Sequence, residues 1–141
     1  MIPTESKQFN ICLGRVPLSY WEQVARRFFD ANDKIRYVGI VDSGFRVLHS
    51  ENRPGINSLA PIDTERNFVS IVPRTLVEGA QKLEPQCGLM TGLQIQYKKN
   101  ILTIHSVGEY VVMLSFEPSV EMPFLSSINQ LVQRVMGRAD Y

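Results

Sequence analysis

The chain has 141 residues, 44% hydrophobic and 21% charged. This is an ordinary composition for one globular domain, which buries roughly two thirds of the surface that its unfolded form exposes. Fifteen basic and fourteen acidic residues leave a net charge of +1, so nothing in the overall charge attracts nucleic acid or anionic lipid, and neither is an expected partner. The sequence shows no run of roughly 20 apolar residues, no secretory signal pattern, and only two widely separated cysteines, Cys12 and Cys87. We therefore expect a soluble cytoplasmic protein.

The first predicted element after a weakly patterned arm, residues 1–16, is a helix that opens a single domain over residues 17–137. Ser19 and Glu22 form a capping-box pattern, in which each side chain bonds the other residue's amide. Apolar residues at helical spacing continue to about residue 32. A β-hairpin follows, with strands 35–41 and 45–50 around a turn at 42–44.

A second helix is predicted from residue 63 or 64 to about residue 83. Its expected apolar side comprises Phe68, Val69, Val72, Leu76, Ala80 and Leu83. Pro73 lies inside this segment, where it cannot donate to the carbonyl of Val69 and its ring crowds the preceding turn. We therefore expect the helix to kink or divide near residue 72.

Three strand patterns follow at 89–98, 101–107 and 110–116, and then a last helix that ends near Gly137. Gly108 suits the first position of a type II′ turn. Strands 35–41 and 110–116 are apolar on both faces, which is typical of central strands, whereas 45–50 and 89–98 are half polar. The sequence thus predicts an α+β fold of order αββαβββα, with a five-stranded antiparallel sheet of order 2-1-5-4-3 and helices on both faces.

This element order, together with residues 37–48 (YVGIVDSGFRVL), 101–104 (ILTI) and 108–114 (GEYVVML), resembles the roadblock/longin-like domains. The resemblance covers about residues 17–137 and suggests a divergent prokaryotic or archaeal member. It implies a profilin-like sandwich with the first and last helices on one face and the middle helix on the other. Members of the family commonly form homodimers through the middle helix and the neighbouring edge strand, and prokaryotic members regulate or scaffold Ras-like GTPases.

The predicted partner-binding residues follow from this implied interface. They are Ile71, Arg74, Thr75 and Glu78 on the outer side of the middle helix, and Gln94 and Gln96 on the edge strand. Two alternatives stay open. Ile71 can be a solitary exposed apolar residue, and Lys98 with Lys99 can block strand pairing instead of accompanying it.

The sequence offers no recognisable catalytic, cofactor-binding or metal-binding motif. His49 and His105 are the only histidines, and no spacing supplies further metal ligands. The frames G-x-S-x-G, G-x-x-x-x-G-K-[ST] and G-x-G-x-x-G do not occur. We therefore expect a non-catalytic interaction or scaffold domain, homodimeric, that docks or regulates a small GTPase. The alternative is a small-ligand sensor whose pocket between sheet and helix is lined by Tyr37, Tyr97, His105 and Tyr110.

Overall fold

A computed structural model of the protein describes residues 19–56, 61–118 and 125–139. Their helices are α1 (Tyr20–Ala31), α2 (Ile62–Gln81), α3 (Glu84–Cys87) and α4 (Leu125–Ala139). Their strands are β1 (Ile35–Val41), β2 (Val47–Asn52), β3 (Leu93–Gln96), β4 (Ile101–Val107) and β5 (Tyr110–Phe116). The predicted N-terminal arm, residues 1–16, lies outside the described residues.

The strands form one antiparallel sheet of order β2-β1-β5-β4-β3. This confirms the predicted α+β class and strand order. The central strands β1 and β5 are buried along almost their whole length, as their two-sided apolar patterns indicated. The edge strands β2 and β3 are only partly covered.

Two apolar cores lie on opposite faces of the sheet. Successive residues of β5 alternate between them, so that Val112 and Leu114 belong to the first core and Val111 and Met113 to the second. The first core is closed by α1 and α4, and the second by α2. The helices therefore cover both faces, in the arrangement that the resemblance implied.

Helix α1 begins with the predicted capping box. The Ser19 hydroxyl accepts from the Glu22 amide at 3.1 Å, and the Ser19 amide donates to the Glu22 carboxylate at 2.9 Å. This bond from the Ser19 amide favours the ionised carboxylate and lowers the pKa of Glu22. The helix thus starts where its local sequence predicts.

The turn between β1 and β2 is organised by Asp42. Its carboxylate accepts from the amides of Gly44 and Arg46 and from the Arg46 guanidinium, at 2.9–3.0 Å. Partial burial opposes ionisation, but these hydrogen bonds outweigh it and lower the pKa of Asp42. Phe45 has φ 62°, which takes it out of the ladder, and β2 therefore starts at residue 47 instead of the predicted 45.

Helix α2 runs as one element through Pro73, so of the two predicted outcomes, a kink or a division near residue 72, the division was wrong. Its buried stripe is Val69, Pro73 and Val77, spaced four residues apart. The proline ring is buried with the core side chains of α2, whereas its sequence position had predicted only a disturbance of the helix. The buried face is consequently rotated, and Leu76 and Leu83, predicted to be buried, are 36% and 61% exposed.

The segment before β3 also contains less strand than predicted. The one-turn helix α3 occupies residues 84–87, and Gly88 ends it with φ 87°. The Met90 amide then donates to the Glu84 carboxylate at 2.8 Å, which holds residues 88–92 outside the ladder. Strand β3 therefore starts at Leu93 instead of residue 89.

The last two elements differ less from expectation. Gly108 has φ 56°, the conformation that the predicted turn needs at that position. Helix α4 continues through Gly137 to Ala139, so Gly137 is not the predicted C-cap. Among the described helices, none combines the length and apolarity needed to cross a membrane.

Candidate partner-binding surface

Four of the predicted partner-binding residues lie together on the outer side of α2. Ile71, Arg74, Thr75 and Glu78 are all exposed, because the opposite side of the helix carries the buried stripe. The Arg74 guanidinium lies 3.7 Å from the Glu78 carboxylate, with both side chains more than half exposed. A pair so exposed adds little stability. This side of α2 is therefore a mixed surface, with the 59% exposed Ile71 among charged and polar groups.

The other two predicted residues lie on the opposite face of the sheet. Gln94 pairs with Thr103 and Gln96 with Ile101, and directly opposed residues of an antiparallel ladder share a face. Ile101 belongs to the core under α1 and α4. Gln94 and Gln96 therefore lie on the face of the sheet that α1 and α4 cover. Ile71 lies on α2, which covers the other face, so the six predicted residues do not form one surface.

Large exposed apolar side chains lie from α2 to the end of β3, and of these only the exposure of Ile71 was predicted from the sequence. In this part of the chain the large exposed hydrophobic residues are Ile71, Leu76, Leu83, Leu89 and Tyr97. Leu89 is 81% exposed and Leu83 61%. We call these five residues the α2–β3 surface. The sequence feature that could have indicated this exposure is the position of Leu89. It directly follows Gly88, although the alternating pattern assigned the segment to a strand.

The four residues proposed to line a ligand pocket are not brought together. Tyr37 belongs to the core under α2, and its hydroxyl is 2.7 Å from the Ser50 hydroxyl. Tyr97 is 48% exposed at the end of β3. Tyr110 packs against the core under α1 and α4, with its ring 5.0 Å from that of Trp21. The arrangement does not favour a shared pocket.

His105, the fourth of these residues, is held in a buried hydrogen-bond network. Its Nδ1 bonds the Asn129 amide oxygen of α4, and its Nε2 lies 2.8 Å from the Thr103 hydroxyl. These contacts fit a neutral ring that donates from Nδ1 and accepts at Nε2. Burial disfavours the imidazolium and lowers the pKa of His105 to about 4. The group joins α4 to the sheet.

Glu51 links strand β2 to helix α1 through polar contacts. His49 Nε2 lies 2.7 Å from Glu51, whose other oxygen lies 3.9 Å from Arg26 of α1. Within the described residues, no three histidine, cysteine, aspartate or glutamate side chains are arranged to hold a metal ion. The surface of greatest functional interest is therefore the α2–β3 surface.

No family model matches the sequence, and no curated protein matches it. Several solved structures are similar to this one. The gliding protein MglB from Thermus thermophilus superposes with a TM-score of 0.61 at 14% identity, over 87% of this chain and 95% of that one. An MglB structure with a tetrameric arrangement gives 0.60 at 16% identity, over 88% and 95%. A Roadblock/LC7 domain from Streptomyces avermitilis gives 0.53 at 7% identity, over 77% and 88%. Identities this low establish a shared fold, and the chain is accordingly a domain of the roadblock/longin-like fold.

Proposed function

We propose that this domain is a non-catalytic, homodimeric scaffold that docks or regulates a small Ras-like GTPase in the cytoplasm. The observation that carries the proposal is the α2–β3 surface, five large exposed apolar side chains within residues 71–97, together with the open edge of β3. Single exposed apolar residues are common, but five in one stretch of the chain favour an interaction role.

Burial of these residues against another protein would be favourable. Covering a leucine or isoleucine side chain completely stabilises by about 1.5–3 kcal/mol, and Leu83, Leu89 and Ile71 are more than half exposed. The edge strand β3 adds backbone groups that a second chain could bond. Lys98 and Lys99 lie in the turn after β3, outside the strand itself, which leaves the strand edge accessible.

The GTPase part of the proposal is supported by the fold. The similar structures include MglB and a Roadblock/LC7 domain, and the resemblance to that family implies regulation or scaffolding of Ras-like GTPases. In a dimer that uses the β3 edge, the outer side of α2 with Ile71, Arg74 and Glu78 remains available. We assign GTPase docking to this side of α2.

The homodimer is tested by light scattering coupled to size-exclusion chromatography. We expect a mass about twice the 16.1 kDa of one chain at micromolar concentrations. A mass of one chain at every concentration up to about 200 µM, an order-of-magnitude ceiling for specific dimers, would contradict the proposal.

GTPase docking is tested with the purified Ras-like GTPases of the source organism, each loaded with GDP or a non-hydrolysable GTP analogue. We expect one of them to bind with a preference for one nucleotide state, and the double variant Ile71→Asp/Arg74→Glu to weaken binding at least about tenfold. The control is Arg27→Glu, an exposed charge reversal on α1, which should leave binding unchanged. Failure of every GTPase to bind in either state would refute this part of the proposal.

A further inference from the structure

Strand β2 forms an open edge of the sheet in the described part of the chain, on the opposite side from β3. The Arg53 amide donates to the Arg36 carbonyl of β1 at 2.7 Å, so Arg53 belongs to the set of residues that bond β1. In an antiparallel ladder, such residues alternate with residues that direct both backbone groups away. Asn52 and Ser50, one and three positions before Arg53, therefore direct their N–H and C=O groups to the β2 edge.

Val47 also faces the β2 edge, beyond an irregularity in the ladder. The Asp42 amide donates to the Arg46 carbonyl at 3.0 Å, so the next residue, Val47, directs its backbone groups away from β1. The register with β1 shifts by one residue between Val47 and His49, which makes Leu48 the extra residue of a bulge. The edge-facing residues of β2 are thus Val47, Ser50 and Asn52.

The two faces of β2 differ in polarity. His49 and Glu51 lie on the face that α1 covers, where Glu51 contacts His49 and Arg26. Val47 lies on the α2 face, opposite a residue of the core under α2, and is 39% exposed. Outside the α2–β3 surface, Val47 and Tyr20 are the large exposed hydrophobic residues of the described chain. A strand added at this edge is therefore expected to carry its apolar side chains on the α2 face.

Helix α1 begins beside the start of β2. It packs on β1 and β2, and its Arg26 lies 3.9 Å from Glu51 of β2. The ring of Trp21, in its first turn, lies 5.0 Å from that of Tyr110. Tyr110 begins β5 next to the end of β1, and β2 starts at that same end of the sheet. The chain that precedes α1 therefore arrives where β2 starts.

Residues 1–18, which precede the described part of the chain, contain a run of alternating polarity at 8–13. In this run Gln8, Asn10 and Cys12 alternate with Phe9, Ile11 and Leu13. Such alternation is typical of a half-buried strand. A strand of these residues that leads into α1 must run toward the start of β2, and it is therefore antiparallel to β2.

The connection from such a strand to α1 is long enough. Residues 14–18 can span about 17 Å when extended. They would need to cross one strand spacing of about 4.8 Å and rise by roughly 10 Å, the diameter of a helix with its side chains. The length of the segment therefore permits pairing within one chain.

We infer that residues 8–13 of this chain pair with β2 as a sixth, antiparallel strand of the sheet. The apolar residues Leu13, Ile11 and Phe9 then lie opposite Val47, Ser50 and Asn52, on the α2 face. A shift by two residues in either direction would leave one of the three apolar residues without an edge-facing partner. The added strand closes the β2 edge and leaves β3 as the open edge of the sheet. This inference does not depend on the proposed homodimer.

Disulfide formation tests the register in a Cys12→Ser/Cys87→Ser background, which removes both native thiols. Asn10 and Glu51 would form a non-hydrogen-bonded pair, so Asn10→Cys/Glu51→Cys places Cα atoms about 4.5 Å apart, within disulfide range. The matched control is Asn10→Cys/Gln96→Cys, because Gln96 is exposed on the same face at the other edge of the sheet. We expect mild oxidation to close the first pair within one chain at least about tenfold more than the second.

Hydrogen exchange is a second readout that needs no added cysteine. In the inferred pairing the amides of Ser50 and Asn52 donate to the added strand, and they should exchange at least about tenfold more slowly than in Ile11→Pro. Proline at residue 11 removes a donor to β2, whereas the Asn10 amide faces away from β2, so Asn10→Pro should keep the protection. The Glu51 amide, which bonds β1, is the internal reference.

Three outcomes would overturn the inference. Equal closure of the two cysteine pairs would show that residue 10 has no fixed position at the β2 edge. Identical exchange of the Ser50 and Asn52 amides in the wild type and in Ile11→Pro would show that no strand bonds them. Covalent dimers from an equimolar mixture of the Asn10→Cys and Glu51→Cys single variants would assign the edge to a second copy instead. None of these outcomes bears on the homodimer, which light scattering tests separately.

Discussion

Arg53 connects three segments of the chain through a single guanidinium group. Its Nε donates to the Ile35 carbonyl at 2.7 Å, and one terminal nitrogen donates to the carbonyls of Phe29 and Asn32 at 2.9 and 2.7 Å. The group also lies 5.1 Å from the centre of the Phe29 ring. Arg53 thus satisfies carbonyls at the end of α1 that the helix itself leaves without partners.

Replacement of Arg53 by lysine should lower the free energy of unfolding by about 2–3 kcal/mol, because an ammonium group cannot reproduce the forked donor geometry. Urea titration followed by circular dichroism measures this change. The matched control is Arg27→Lys on the exposed side of α1, which should change the free energy by less than about 0.5 kcal/mol. Equal midpoints for the two variants would show that the fork is dispensable.

The buried His105 makes stability depend on pH. Its pKa is about 4 in the folded protein, compared with 6.5 for an unperturbed histidine, because burial disfavours the charged ring. Between these values the unfolded chain takes up a proton that the native protein does not. The contribution of His105 to the free energy of unfolding is therefore complete above pH 6.5. As the pH falls from there toward 4, the free energy of unfolding should decrease by up to about 1.4 kcal/mol per pH unit.

The measurement is a series of urea titrations from about pH 7.5 to about pH 4.5 on the wild type and on His105→Gln, which spans most of the interval between the two pKa values. The variant should show a shallower decrease over this range, since the remaining ionisable groups titrate in both proteins. Parallel curves would mean that His105 is protonated in the native state or accessible to water.

At the scale of single residues, the sequence predicts hydrogen-bond partners that are close in the chain. It does not predict partners that are far apart in the chain. The bonds between Ser19 and Glu22 join residues three positions apart, and the capping-box pattern identified them. Arg53 and Phe29 are 24 positions apart, as are His105 and Asn129. No periodicity within either segment marks such a pair, because the contact exists only after the sheet has formed.

At the scale of elements, the segment before β3 approaches α4 closely at Gly92. A Cβ atom on Gly92 would lie 2.7 Å from the Asn129 amide oxygen, the atom that bonds His105. Gly92→Ala should therefore displace the amide, weaken its bond to the imidazole and lower the free energy of unfolding by about 1–2 kcal/mol. In an Asn129→Ala background the same change should cost much less.

The control for this change is Gly79→Ala in α2. A Cβ on Gly79 meets nothing within 4 Å, and alanine favours the helix, so this variant should be more stable by about 0.5–1 kcal/mol. Thermal and urea denaturation give both values. Equal effects of Gly92→Ala with and without Asn129 would show that the two residues are not coupled.

The position of a strand in the sheet was predictable where its apolar and polar residues follow a clear pattern on the two faces. The two-sided apolar pattern of β1 and β5 placed both strands in the centre of the sheet, and the half-polar pattern of β2 and β3 placed them at the edges. The errors occurred where local backbone geometry overrides polarity. Phe45 with positive φ shortens one hairpin strand, and Pro73 contributes to a core instead of ending a helix.

At the scale of the whole molecule, the two faces of the sheet are covered unequally. Helices α1 and α4 share one face, whereas the long helix α2 packs over β2, β1 and β5 on the other. The β3 end therefore keeps its apolar residues partly exposed. The sequence predicted the exposure of Ile71, Arg74, Thr75 and Glu78. It did not predict the exposed Leu83 and Leu89, because both were assigned to regular elements with a buried face.

If this end of the sheet is covered by a second copy, folding and association are coupled, and thermal stability must depend on protein concentration. A tenfold increase in concentration contributes about 1.4 kcal/mol, which for two chains of this size corresponds to a rise in Tm of roughly 2–3 °C. Calorimetry between about 2 and 200 µM, roughly the range in which specific dimers dissociate and form, measures the slope. A Tm that stays constant across the range would contradict coupled folding.

The discriminating variant is Gln94→Pro. The Gln94 amide faces the open edge, so proline removes no bond to β4 but prevents pairing with another strand. We expect this variant to keep the far-ultraviolet circular dichroism of the wild type while its Tm loses the dependence on concentration. Ile95→Pro is the matched control, because the Ile95 amide bonds β4 and its loss should destabilise the domain at every concentration. A Gln94→Pro protein that remains dimeric with an unchanged concentration dependence of Tm would place the contact between copies elsewhere, because proline on this edge removes a donor and disfavours pairing with another strand.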